Sequence, residues 1–218
     1  MPTPTLTDPF RNKLLDAQFR GQSLVIGAQT QSWGAAPTLY FGLLNVSLWS
    51  PGLILSGATW VIGVNGGTTR LFKATTGTAG STAPTWPTTQ GGTVVDGTIT
   101  WTEQSAVQRT AVQANLPPEF TGGTYARQSQ VASLANFSGT QGAGTTTASS
   151  GTSGQISNNN SIVFNGGTGG NGGMFAIYDA LTGGNMLICQ PLTSAPVPMA
   201  SGSTETFAAG ALVISLDN

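Results

Sequence analysis

The residues able to carry acid, base, nucleophilic or metal chemistry are few in this chain and widely spaced. Its 218 residues include seven Lys and Arg, eight Asp and Glu, one Cys and no His. Glu103 and Glu119 are the one carboxylate pair from which a glycosidase reading could start. They fall in different predicted pieces, and no pattern brings them together. Asp96 and Asp179 stand in turn-like sequences, where a short carboxylate bonds to its own backbone. Without histidine there is no Ser-His-Asp or Cys-His nucleophile. Cys189, in the apolar run Met186-Leu187-Ile188-Cys189, reads as a small buried hydrophobe. One cysteine and no histidine also exclude ordinary zinc and copper sites. The stretch 166–173 has the glycine density of calcium-binding repeats but neither their aspartates nor their repetition, so it reads as a flexible loop. No P-loop lysine follows a glycine cluster. The chain is therefore expected not to be an enzyme and to need no cofactor or metal.

Two groups of residues could bind rather than react. Trp86 and Trp101 are either a stacking platform for a sugar or the core of a small module with few other large side chains. Phe10, Arg11, Lys13 and Arg20 are either a docking patch or one side of a helix whose apolar residues cover the protein's own sheet. The formal net charge is −1, too little basic character for nucleic-acid binding. No apolar run approaches the roughly 20 residues of a membrane span. Met1-Pro2-Thr3-Pro4-Thr5 lacks the basic and apolar regions of a secretion signal, so a soluble protein made in a cytoplasm is expected.

The elements that must position these residues are nearly all β. The single helix starts at Asp8 as cap with Pro9 in the first turn, and stops at Gly21. Phe10, Leu14 and Ala17 recur on one side of it, with Leu15 and Phe19 adjoining. Residues 1–9 read as an extended Pro/Thr arm. The run 38–44 predicts a buried strand, and 60–64 and 70–74 predict shorter strands about a Gly66-Gly67 turn. Asp96-Gly97 between β-rich runs predicts a two-residue hairpin loop with Val94 opposite Ile99 and Trp101 on the same face. Residues 139–155 are low-complexity loop. Strands are expected at 162–164, 174–178 and 186–189, and 211–216 alternates with Leu212, Ile214 and Leu216 on one face. Many short strands with Gly-rich turns predict an all-β, antiparallel sandwich or jelly-roll-like domain.

Several blocks, taken in order, resemble a family of small tailed-bacteriophage virion proteins, labelled head decoration, minor structural or tail-fibre proteins. They are Leu14-Leu15-Asp16-Ala17-Gln18-Phe19-Arg20-Gly21, Pro37-Thr38-Leu39-Tyr40-Phe41-Gly42-Leu43-Leu44, Tyr125-Ala126-Arg127, Ile177-Tyr178-Asp179-Ala180-Leu181-Thr182-Gly183-Gly184-Asn185, and Phe207-Ala208-Ala209-Gly210-Ala211-Leu212 followed by Leu216-Asp217. The resemblance covers residues 10–44 and about 120–218. Between Asn45 and about Glu103 the chain departs from it, and that stretch is similar to a small β module inserted in phage tail and capsid proteins. The resemblance implies a main domain split as 10–46 and 107–218, with an inserted module at 47–106. It also implies a decoration or cement protein on the capsid surface of the virion. Its partners would be the major capsid protein and itself, as a dimer or trimer. The helix patch would dock, and the alternative role is a tail or fibre protein that binds host glycan.

Overall fold

The computed structural model describes residues 7–32, 34–65, 68–104, 116–139, 148–149, 154–192 and 196–216. Helix α1 spans Asp8–Arg20. The strands follow in chain order: β1 Leu24–Ile26, β2 Gln29–Gln31, β3 Thr38–Val46, β4 Ile54–Leu55, β5 Thr59–Asn65, β6 Thr68–Ala74, β7 Gly77–Thr78, β8 Thr93–Asp96 and β9 Ile99–Glu103. The rest are β10 Gln128–Val131, β11 Phe137–Ser138, β12 Gln155–Asn158, β13 Ile162–Asn165, β14 Asn171–Tyr178, β15 Met186–Pro191, β16 Val197–Pro198, β17 Thr204–Phe207 and β18 Val213–Ser215. The fold is all-β, and its strands pair antiparallel within each sheet.

The main sheet runs β10-β3-β14-β15, with β16 also on β14. Its two central strands explain the long apolar runs, because they are covered on both faces. Side chains alternate along a strand, so Leu39, Phe41, Leu43, Phe175 and Ile177 face one layer and Leu44, Val46, Met174, Ala176 and Tyr178 face the other. The first layer is formed by β11-β12-β18, β13-β17 and the helix, which contribute Phe137, Ile156, Ile214, Phe164, Phe207, Leu15 and Phe19. The alternation expected near the C-terminus holds, with Leu212 and Ile214 buried inward and Leu216 partly so. The second layer comes from the 47–106 stretch, through Leu71, Trp60 and Ile62.

That stretch forms its own sheet, β5-β6-β9-β8, beside the small pair β4-β7. Strands β5 and β6 pair from Thr59↔Ala74 to Asn65↔Thr68, as the sequence suggested. The Gly66-Gly67 turn between them lies outside the described residues, as do most of the 1–9 arm, Trp33, Asp217 and much of 139–155.

Three expectations need correction. The hairpin loop lies one residue later than expected, which moves each cross-strand partner by two: Asp96 faces Ile99 and Val94 faces Trp101, with Gly97-Thr98 as the loop and Gly97 at φ 62°. The shift turns Asp96 inward, where its carboxylate has three donors. The glycine stretch 166–173 is not simply a loop, because 171–173 belong to β14 and Gly166, Gly167, Gly172 and Gly173 are buried. The helix cap is Thr7 rather than Asp8, and Thr7 makes no side-chain cap bond. Gly21 ends the helix in the left-handed conformation, as expected. The sequence reading missed the β1-β2 hairpin, whose residues are mostly exposed.

Candidate functional site

The helix patch is broken up by the fold. Lys13 is exposed and Phe10 is half-buried. Arg11 pairs with Asp8 one turn earlier and donates through Nη1 to the Leu216 carbonyl at 3.1 Å. Arg20 is 1% exposed, which corrects its placement on a surface patch. Its Nη1 meets Asp16 Oδ1 at 2.7 Å and Ser149 Oγ at 3.0 Å, and its Nε reaches the Phe137 carbonyl at 3.3 Å. Asp16 in turn accepts from the Ser149 backbone N–H at 2.7 Å. This buried pair fastens the helix to β11, so Arg20 cannot reach a partner.

The tryptophan pair is core. Trp101 is fully buried and Trp86 nearly so, so neither offers a ring face to a sugar. Trp86 packs on Phe72 with centroids 4.5 Å apart and meets Trp101 edge-on at 6.0 Å. Gly63 makes room for it, because a Cβ there would lie 2.5 Å from the Trp86 ring. Beneath the rings, Asp96 Oδ2 accepts from Trp49 Nε1 at 2.7 Å and Trp101 Nε1 at 3.1 Å, and Oδ1 accepts from the Gly80 backbone N–H at 2.7 Å. Burial alone would raise this carboxyl's pKa, but those donors outweigh it and hold it below the usual carboxylate range.

The two glutamates of the glycosidase reading are each tied up separately. Glu103 is fully buried, pairs with Arg70 at 3.2 Å and accepts from the Gly91 N–H at 3.1 Å. Glu119 takes a fork from Arg127, Nε to Oε1 at 2.9 Å and Nη2 to Oε2 at 2.6 Å. Burial pushes the Cys189 thiol up to about 11, far from a thiolate nucleophile at neutral pH. Among the described residues no group of three His, Cys, Asp or Glu could hold a metal, and no helix is long and apolar enough to cross a membrane.

What the fold does assemble is a polar staple that no single sequence block revealed. Arg127 Nη1 donates to the Ala180 carbonyl at 2.6 Å and the Gly183 carbonyl at 2.8 Å, while its guanidinium lies 3.4 Å from the Tyr178 ring centroid. Tyr125 donates to Glu119 at 3.1 Å and its hydroxyl oxygen accepts from the Leu43 N–H at 2.7 Å. Burial, then the Glu119 charge, raise both tyrosine pKa values well above the ordinary range. Asp179 closes the turn by accepting from Asn185 N–H at 2.7 Å and Asn185 Nδ2 at 2.9 Å. The staple ties the 179–185 hairpin tip to Glu119 and strand β3. Beside it, Trp60, Leu116, Pro117, Pro118, Tyr178 and Met186 line an open groove of about 600 Å³ between the main sheet and the inserted one. The Trp60 indole N–H is buried and has no partner among the described residues, with Lys73 Nζ 4.7 Å from the ring centroid.

The residues of this staple lie in or against the part of the chain that is similar to a known family. A family described as podophage GP4 fiber I protein gp80 matches residues 109–215, the stretch that supplies Glu119, Tyr125, Arg127, Tyr178 and strands β10 to β18. The similarity is one of that stretch to a phage fibre family, and it does not single out head decoration. No curated protein and no solved structure matches.

Proposed function

We propose that the protein is a structural component of the fibre apparatus of a tailed-phage virion, with no catalytic role. The similarity to a podophage fibre protein across 109–215 carries this reading. The way the fold spends its charges supports it. Asp8, Asp16, Glu103 and Glu119 are all in ion pairs within the chain. The outside is left largely neutral, rich in Thr, Ser and Gly, and suited to packing against other proteins of the particle. In this reading the sandwich is the mounted body, the 47–106 module is an addition that covers one face of its sheet, and the partners are further copies and neighbouring virion proteins.

Stoichiometry in purified particles tests the placement. Quantitative mass spectrometry against the major capsid protein, with antibody labelling by electron microscopy, is expected to find a handful of copies per particle at the tail. Hundreds of copies spread over the head would overturn the fibre placement in favour of decoration or cementing of the shell, where binding only the assembled state would stabilise it by mass action.

A further inference from the structure

The two larger sheets end in the edge strands β10, β15, β5 and β8, and the first three are blunted. Strand β15 has a bulge in its pairing at Ile177/Tyr178 and closes on Pro191. On β10 the Val131 carbonyl accepts from Asn136 Nδ2 at 2.8 Å. On β5 the Trp60 carbonyl accepts from the Ser47 N–H at 2.7 Å. Such devices keep a row of unpaired backbone groups from pairing with another chain. Strand β8, Thr93-Val94-Val95-Asp96, has none of them. It carries no proline, bulge or lysine, and its one charged side chain, Asp96, turns inward to the Trp49 and Trp101 indoles. The register with β9 decides which backbone groups are free. The Glu103 N–H donates to the Gly92 carbonyl at 2.9 Å, so the positions bonded to β9 are 92, 94 and 96. The N–H and C=O of Thr93 and Val95 therefore point out from the free edge, and they have no partner among the described residues. Both side chains are exposed, Val95 at 70%.

We infer that the β8 edge is a self-pairing interface, where two copies of the chain join antiparallel about a twofold axis through Val94. An axis perpendicular to the sheet sets Thr93 opposite the second copy's Val95, and Val95 opposite the second copy's Thr93. Each of these pairs exchanges two N–H···O bonds. The bonds use every outward donor and acceptor of Thr93 and Val95 in both copies, with none left over. A shift of the register in either direction leaves some of them unpaired. This self-complementarity selects a second copy over an unrelated strand. The side chains agree with it. Thr93 and Val95 are β-branched neighbours across the join, Val94 meets its own counterpart, and the Asp96 carboxylate brings no repulsion because it is buried beneath the indoles. The contact is isologous and closes on itself. It makes the four-stranded sheets of the two insertions one continuous sheet. An interface this small is weak between free chains and strengthens where other contacts already hold copies side by side. The inference does not rest on the fibre placement.

The test uses the full chain with Cys189→Ala, so that an introduced cysteine acts alone. Val94→Cys should give a disulfide-linked dimer on mild oxidation, because directly opposed residues of a non-hydrogen-bonded pair have Cα atoms about 4.5 Å apart, within disulfide reach. Thr100→Cys, exposed on the neighbouring strand, should stay monomeric. Adding Val95→Pro removes an outward N–H that the chain itself does not use. It should cut the Val94→Cys dimer by more than about tenfold while leaving the amide spectrum of β5, β6 and β9 in place. In the wild type, NMR shifts of the Thr93, Val94 and Val95 amides should move with protein concentration and approach saturation in the millimolar range, with Ile62 and Val64 on the opposite edge unmoved. Movement at both edges would show head-to-tail pairing of β8 with β5 and overturn the twofold contact. Shifts independent of concentration, or a Thr100→Cys dimer as abundant as that of Val94→Cys, would overturn the interface altogether.

Discussion

The sandwich and the inserted sheet build their interiors in opposite ways. The sandwich core is many medium-sized apolar groups, mostly Phe, Leu and Ile from the strands and the helix, and no described tryptophan is in it. Its ion pairs are fasteners between elements: Asp16–Arg20 holds the helix to β11, and Glu119–Arg127 holds the 179–185 tip. The inserted sheet has fewer strands and a core dominated by Phe72, Trp86 and Trp101, with a carboxylate beneath the rings. A small module cannot collect enough small contacts to be stable, so it relies on a few large groups whose polar edges must be satisfied. Damage should therefore be concentrated in the insertion and spread out in the sandwich.

Trp101→Ala should break this contrast most sharply. Removing a fully buried tryptophan costs about 3–5 kcal/mol, and here it also leaves Asp96 short of one donor. The loss should fall on the insertion. Hydrogen exchange should show amides of β5, β6, β8 and β9 losing protection while those at the centre of β3 and β14 keep most of theirs. Equal loss in both sheets would show that the shared contacts of Leu71 and Trp60 with the main sheet weld the two into one cooperative unit.

Asp96→Asn sharpens the same point through pH. The substitution keeps an acceptor and removes the charge, so a loss of about 1.5–3 kcal/mol is expected. The folded carboxyl titrates below its unfolded value. Its contribution is thus complete above the ordinary carboxylate range and fades as pH falls through that range toward the folded value. Urea midpoints of the wild type followed by tryptophan fluorescence should therefore drop on acidification in this window. In Asp96→Asn the part of the slope due to this group should vanish. An unchanged acid slope would mean that Asp96 is not what holds the tryptophans.

Local periodicity predicted the parts of the fold that depend on it. The run from Thr38 to Leu44 reads as buried because both its faces are, and Leu212, Ile214 and Leu216 alternate because one face is. Two of the errors come from partners distant in sequence. Arg20 sits on the polar side of a helix in any periodic reading, yet besides Asp16 on its own helix it has partners 117 and 129 residues away. The Asp96-Gly97 pair has the composition of a hairpin loop, but Trp49, 47 residues earlier, and Gly80, 16 earlier, draw the aspartate inward and move the loop by one residue. The staple was half legible: its blocks stood out one by one, while Glu119 had no local feature to mark it as the residue joining Tyr125 and Arg127.

Arg127→Lys gives the smallest of these effects and asks whether the sandwich's fasteners act locally. A lysine keeps the charge but not the planar fork, so it cannot serve Glu119 in two places and the carbonyls of Ala180 and Gly183 together. It also gives up the flat contact with the Tyr178 ring. About 1–2 kcal/mol is expected, well below the loss from Trp101→Ala, because the core behind the staple is untouched. The change should appear as faster hydrogen exchange at Asn185, whose N–H is held by Asp179 within the same tip, with a shift in the global unfolding midpoint well below that of Trp101→Ala. A global midpoint that falls as far as in Trp101→Ala would erase the contrast, because the sandwich would then also hang on a single polar group.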